Sequence, residues 1–513
     1  MQDLKRRWKI YWRSVNLLFM AHGDKRFLKN SIASLVQQIV TIFLGLILSR
    51  FILLAYGSAT NGLISSINQF IGLIALMEGG MGVVARVVFY KPLAERDQIQ
   101  ISIAYKTVSR FFTRLSFLLF IYLAVLSIVY PLISKSGYSF GFVSILVLIL
   151  GLSSIFEYCF GITSQMLLIA DQKGYVYSAI QIFFFIARTI SAILLIGRGY
   201  SVHTVKFVSA VVYIIRPLLL CYYTKKRYKI DTSVSVDKTL LSQKNAAWVR
   251  HIATYVHTGT DIMLLTLFSN MAWVSVYSVY QYVIHSLSVL ASAILNNLEA
   301  VFGEAFAKED KEQLKWLVQK YDLISKIFVG TCFTTCMIVI DSFIQIYTKD
   351  IVDIQYFQPV FSGILCIAEM FYCMGLIYQN IYIAAGHIRQ TQWMAVLEAV
   401  INVFVSLILV RKYHIVGVAG GTLAAMIFKN VIEVYYVKKY ILDISLRVLL
   451  KNYAVNLGTG AMLVVVFKNT HMAQVTNFLH FFGYAVIVFG VCLLGFLCVN
   501  LIVFQWFRKV VSL

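Results

Sequence analysis

The sequence predicts an all-α polytopic membrane protein of about fourteen transmembrane helices, arranged as two parallel six-helix repeats plus two extra C-terminal helices. Three observations carry this reading. The 513 residues are 60% hydrophobic and 13% charged, with four prolines, a balance that suits lipid better than water. Apolar runs long enough to cross a hydrocarbon core of about 30 Å as helices recur from Asn30 to the C-terminus. Finally, the stretch Ile214 to Lys226, IIRPLLLCYYTKK, returns 213 residues later as IFKNVIEVYYVKK, Ile427 to Lys439.

Residues 1–29 come first. Trp8, Tyr11, Trp12, Val15 and Phe19 share one helical face and Lys5, Arg6, Lys9 and Arg13 lie largely on the other, which predicts an amphipathic helix on an anionic lipid surface. The alternative is a basic tail without fixed structure. Six spans follow in residues 30–223, at 30–55, 62–90, 112–134, 139–170, 176–198 and 203–223. A basic polar linker, 224–246, is expected on the cytoplasmic side. The second set occupies 247–440, with spans at 247–268, 272–303, 321–347, 356–384, 391–412 and 416–437, and residues 441–513 hold two more at 448–467 and 480–507.

Charge sets the orientation. With the N-terminus inside, about 32 of the 45 Lys and Arg residues fall on inner segments and about 7 on outer ones, so both termini are expected in the cytoplasm. The same distribution explains the net charge of +22 without nucleic acid, because basic residues gather in loops at the membrane surface. All eight cysteines fall within expected spans, which points to reduced thiols. No HExxH, no Cys/His cluster at zinc spacing and no Gly-Lys pair of a P-loop occurs, so neither a metal nor a cofactor is expected, nor ATP hydrolysis.

The repeat is more than one echo. Tyr158-Cys159-Phe160-Gly161 matches Tyr372-Cys373-Met374-Gly375, and Gln165 and Ile169-Ala170 answer Gln379 and Ile383-Ala384 at an offset of 214. A shift of six spans preserves orientation, so the halves should be related by an axis along the membrane normal, with a path between them.

A charge inside a span costs about 2.5 to 3.5 kcal/mol on insertion scales, and therefore marks a pathway or a pair. The intramembrane cations are Arg50, Arg86, Arg188, Arg216, Arg250 and Lys429, and the anions near mid-depth are Glu78, Glu157, Asp261, Glu369 and Glu398. Arg86 and Arg250 stand near cytoplasmic ends, where either snorkelling or a place in a cationic, substrate-binding cavity accounts for them. Arg188 lies about twelve residues into its span and is the foremost candidate for a functional cation. Arg216 and Lys429 are the repeated pair, and Pro217 should break the helix beside Arg216 and free backbone carbonyls. The competing reading of these two is structural pairing with Glu157, Glu369 or Glu398. Glu78, beside Gly79, Gly80 and Gly82, suits either function or close helix packing, and Asp261 suits a coupling cation or the balancing of an arginine.

Across nearly its whole length, through KNSIASLVQQIVTIFLGLILSRFILLAYG, Asn61-Gly62-Leu63, the Glu78-Gly-Gly-x-Gly run and the six-six-two span order, the chain resembles the Wzx-type flippases of the multidrug/oligosaccharidyl-lipid/polysaccharide exporter superfamily. The resemblance implies two lobes about a cavity of alternating access. It implies transfer of an undecaprenyl-pyrophosphate-linked oligosaccharide from the inner to the outer leaflet of a bacterial cytoplasmic membrane, for surface polysaccharide such as O-antigen or capsule. Expected partners are that lipid, anionic lipids and a polysaccharide polymerase. The chain is expected to act as a monomer, with H+ or Na+ coupling left open. Flippases of lipid II or teichoic-acid-type precursors are the near alternatives. A MATE-like exporter of small cations fits the interior cations poorly, and a polymerase would need outer loops longer than those expected here.

Overall fold

The computed structural model describes residues 25–78, 81–134, 136–241, 259–308, 311–469 and 477–503. Residues 1–24 of the expected N-terminal amphipathic segment, Arg250 and most of the seventh expected span lie outside them. Every regular element among the described residues is helical, as lipid demands of a chain that must satisfy its own backbone groups.

The order is α1 Lys25–Gly72, α2 Ile74–Glu78, α3 Met81–Glu95, α4 Gln98–Ile133, α5 Phe140–Phe156, α6 Ile162–Ala170, α7 Gly174–Gly197 and α8 Val202–Arg227. It continues with α9 Gly259–Phe268, α10 Met271–Leu295, α11 Leu298–Ala307, α12 Lys311–Tyr347, α13 Pro359–Ala384, α14 Gln392–Tyr436, α15 Leu446–Asn469 and α16 Phe478–Val503. Eleven stretches among the described residues are long and apolar enough to span a membrane. Two of them are broken: α1 at Gly57 (φ 79°) and α14 at His414 (φ 46°), each dividing into two arms.

Side-chain caps start the helices where the sequence supplies them. Asp97 accepts from the N–H groups of Ile99 and Gln100, and Ser139, Ser201 and Asn270 cap α5, α8 and α10 in the same way. Pro217 does not break α8, which runs through it to Arg227; only the Tyr213 carbonyl loses its helical donor, a defect that membrane helices tolerate. Several helices outrun the expected spans: α4 begins at Gln98 rather than 112, and α12 at Lys311 rather than 321. The stretch after α8 lies against α4, where Lys106 Nζ donates to the carbonyls of Thr232 (2.6 Å) and Val234 (2.7 Å). There the Ser233 backbone N–H and then its hydroxyl, both donating to Asp231, hold that carboxyl below its ordinary range.

The two halves, residues 25–241 and 259–503, meet chiefly through α1 and α10. Their approach requires small residues: a Cβ on Gly62 would overlap the Met271 carbonyl, and one on Gly45 the Tyr282 hydroxyl. The end of the bundle that carries Gly57 and the connection 348–358 is called the latch face below, and the opposite end the Lys25 face.

Candidate intramembrane charge site

Antiparallel α7 and α8 build a polar stripe from residues at helical spacing. Tyr177, Gln181 and Arg188 lie along one face of α7, and Arg216, Tyr213 and Lys206 along one face of α8. Arg216 donates to Gln181 Oε1 and pairs with Glu157 Oε2, and Gln181 Nε2 donates to the Tyr213 hydroxyl at 2.9 Å. The Tyr213 ring lies between two guanidiniums, with Arg216 at 4.4 Å and Arg188 at 4.9 Å from its centroid. Arg188 also sits 4.7 Å from the Phe185 centroid.

Glu157 reaches Arg216 from a single wide π-helical turn, Glu157–Gly161, between α5 and α6. That turn has no room for a side chain at 161, since a Cβ there would collide with the Glu157 carboxylate. The next residue, Tyr158, donates its hydroxyl to Glu78 Oε2 at 3.1 Å.

The second copy of the repeated cation is satisfied differently. Lys429 Nζ lies 2.9 Å from Glu398 Oε2, with Tyr372 beneath it at 5.4 Å from the ring centroid. The carboxylate comes from the first arm of α14 and the lysine from the second, joined by the break at His414. Arg216 and Lys429 therefore both stand opposite carboxylates, in the pairing anticipated as the alternative to a free site, but from non-equivalent helices. Glu369 joins neither; it accepts from the Ser288 hydroxyl and lies 3.9 Å from His285 Nδ1.

Arg188 differs from both. It makes no ion pair or hydrogen bond among the described residues, and its Nε is buried without a hydrogen-bond partner. Arg86 Nε on α3 is likewise buried and unpartnered. Arg50 belongs elsewhere, on the latch face, 3.5 Å from Asp350 and over the Phe478 ring at 5.3 Å.

Asp261 forms a separate oxygen-rich site where α9, α10 and both arms of α14 meet. Its Oδ2 accepts from the hydroxyls of Tyr277 (2.5 Å) and Thr422 (2.7 Å), while Oδ1 is buried with no hydrogen-bond partner. Asn402 Nδ2 donates to Thr422 at 3.0 Å and its Oδ1 accepts from Thr260 at 3.2 Å. No Lys or Arg among the described residues pairs with Asp261, so the arginine-balancing alternative finds no partner there.

Three features escape the sequence reading. Lys206 stands ten residues from Arg216 on the α8 face, close to the start of the expected span at 203. Asp322 and Lys326, fully buried, pair at i, i+4 and join Tyr378, Asn452 and, through a cation–π contact at 4.0 Å, Tyr453; they lie close to the start of the expected span at 321, but α12 begins ten residues earlier. The third is a latch between the halves. Asp353 accepts from the backbone N–H (2.6 Å) and hydroxyl (2.7 Å) of Ser58, and Tyr356 donates to the same hydroxyl at 2.7 Å. Asn61 donates to Ser275 (2.8 Å), Ser65 to Ser278 (3.2 Å) and Tyr347 to the Leu46 carbonyl (2.6 Å). These bonds between halves gather toward the latch face. Gly57 permits the turn that presents Ser58, with its positive φ and with Asp353 3.2 Å from where a Cβ would stand.

This architecture is shared with solved transporters. The lipid II flippase MurJ in an inward closed conformation superposes with a TM-score of 0.70 at 14% identity, covering 94% of this chain and 99% of that one. A multidrug resistance MATE family transporter of the MOP superfamily, inward-facing, gives 0.58 at 12% identity, covering 86% and 99%. A MATE multidrug transporter in complex with R6G gives 0.60 at 15% identity, covering 82% and 96%. No protein-family model matches the sequence, and no curated protein does. At these identities the likeness is one of fold: a multi-pass helical membrane protein built like MurJ and MATE transporters.

Proposed function

We propose that the chain is a flippase that carries an undecaprenyl-pyrophosphate-linked oligosaccharide from the inner to the outer leaflet of a bacterial cytoplasmic membrane for surface polysaccharide synthesis. The observation that carries the reading is Arg188: an intramembrane guanidinium with no carboxylate opposite it among the described residues, in a fold shared with a lipid II flippase. A diphosphate headgroup brings about two negative charges that lipid cannot solvate, and a preplaced guanidinium offers charge-assisted hydrogen bonds during passage. With the cell interior negative, moving two such charges outward through ~100 mV releases roughly 4 to 5 kcal/mol.

In this reading the latch face is the outer face, as the distribution of Lys and Arg supports, and the hydrogen bonds around Ser58 and Asp353 close that side. The Asp261 site supplies coupling. One carboxylate with an unpartnered oxygen, ringed by hydroxyl and amide groups, suits a proton or a hard monovalent cation bound through oxygen.

The test is a proteoliposome assay with purified full chain and a fluorescent polyprenyl-diphosphate oligosaccharide, read by chemical quenching of the label on one leaflet. Flipping well above the protein-free rate is expected, and a rate equal to that of empty liposomes overturns the proposal. Lipid II carries the same diphosphate on a different sugar, so running it in parallel separates the near alternative by rate.

A further inference from the structure

The stripe between α7 and α8 is not balanced along its length. Its Lys25-side end is neutral: Arg216 takes Glu157 as counter-ion and Gln181 as a hydrogen-bond acceptor. Beyond Tyr213, toward the latch face, come Arg188 from α7 and Lys206 from α8, and neither forms an ion pair or hydrogen bond among the described residues. Among the described residues Lys206 has no ring beneath it, whereas Arg188 rests on Phe185 and Tyr213.

The helix register places the two side by side. The contact of Gln181 with Arg216 sets antiparallel α7 and α8 so that 188 stands opposite about 209, three residues or roughly 4 to 5 Å along the axis from Lys206. Lys206 lies within Coulombic range of the Arg188 guanidinium and feels it as a repulsion. The intramembrane acids singled out from the sequence are engaged elsewhere: Glu157 with Arg216, Glu78 with Tyr158, Glu398 with Lys429, Glu369 with Ser288 and Asp261 with Tyr277 and Thr422. Two adjacent cations within a membrane helix pair are costly, and no carboxylate among the described residues pairs with either.

We propose that Arg188 and Lys206 form a two-cation subsite, in the latch-face half of the α7–α8 pair, that grips the diphosphate of a polyprenyl lipid, with Tyr213 as the shelf that orients the Arg188 fork. The proposal rests on the flippase reading for its choice of ligand and adds to it a residue, a position and a charge requirement. A planar guanidinium fixed against a ring offers two parallel donors to one phosphate, and the lysine ammonium, a compact point charge on a flexible stem, reaches the other. The subsite should therefore rank diphosphate above monophosphate and ignore an uncharged polyprenol. Its place on the latch-face side of the neutral Arg216–Glu157 pair makes it a late station for the headgroup rather than the first.

The test is calorimetric titration of the purified full chain, in uncharged detergent, with farnesyl diphosphate, farnesyl monophosphate, farnesol and phosphatidylglycerol. Wild type is expected to bind the diphosphate at least tenfold more tightly than the monophosphate or phosphatidylglycerol. Lys206→Met should weaken diphosphate binding about tenfold, reduce its preference over monophosphate and leave farnesol unchanged, and Lys206→Arg should restore most of the affinity. Arg188→Met should act in the same direction, and monodisperse elution of each variant shows that it is folded. Diphosphate affinity of Lys206→Met within twofold of wild type overturns the subsite, as does equal wild-type binding of phosphatidylglycerol, which would make these cations a site for resident lipid. The proteoliposome assay separates the two ideas. Flipping by wild type with no effect of Lys206→Met on binding leaves the flippase and removes the subsite; Lys206-dependent binding without flipping does the reverse.

Discussion

Removing the Asp353 carboxylate should open the latch face. In Asp353→Ala the fully buried Ser58 loses two acceptors at once, for its backbone N–H at 2.6 Å and its hydroxyl at 2.7 Å. Hydrogen bonds to a charged group contribute about 1.5 to 3 kcal/mol each. Asp353 is itself exposed, so screening and competing water place the pair near the lower bound, about 2 to 3 kcal/mol together. Because these bonds join the halves, their loss falls on the closed state alone and shifts a two-state equilibrium toward separated halves by roughly 30- to 150-fold. The measurement is the distance distribution between spin labels at Gly197→Cys and Val352→Cys in a background cleared of the eight native cysteines. A Cβ at Gly197 meets open space and Val352 is 96% exposed, so neither label disturbs the fold. The variant should gain a longer-distance population that wild type lacks. Identical distributions in reconstituted wild type and variant would refute the idea that this cluster holds the halves together.

Three further outcomes are expected. Arg188→Ala, inserted normally in the membrane, should abolish flipping of lipid-linked oligosaccharide in the proteoliposome assay, and full activity would remove Arg188 from the transport path. Arg216→Met should destabilise the chain by about 3 to 5 kcal/mol in thermal unfolding, because it leaves the Glu157 carboxylate buried and unpaired, whereas Arg216→Met with Glu157→Met should recover most of that loss; a double variant no more stable than the single one would show that the ion pair is not the cause. Asp261→Asn should keep the fold and lose whatever dependence transport shows on an imposed proton or sodium gradient, and an unchanged dependence would place coupling elsewhere.

The helical class and most of the elements were legible in the sequence because lipid leaves a spanning chain few options. A run of some twenty apolar residues must close its own hydrogen bonds, and that is visible without neighbours. Helix ends were less legible, since a helix continues beyond the hydrocarbon wherever its polar face finds company. Hence α12 begins ten residues before its apolar run, and Asp322 and Lys326, close to the start of that run, are buried against Tyr378 and Asn452. The resemblance implied a two-lobed bundle of many spans, and the chain shares the MurJ and MATE fold.

The charged site divides along the same line. From sequence alone, Arg188, Arg216 and Lys429 stood out as intramembrane cations, because the cost of burying a charge depends on the residue and its depth. Whether a cation is neutralised depends on which helix lies beside it. Glu157 reaches Arg216 across 59 residues and Ser58 meets Asp353 across 295, contacts that no local pattern encodes. The sequence by itself determined that the membrane has to hold Arg188, Arg216 and Lys429. Only the packing of α7 against α8, and of each half against the other, decided that two of the three are answered by carboxylates, that Arg188 meets none among the described residues, and that Lys206 stands next to it.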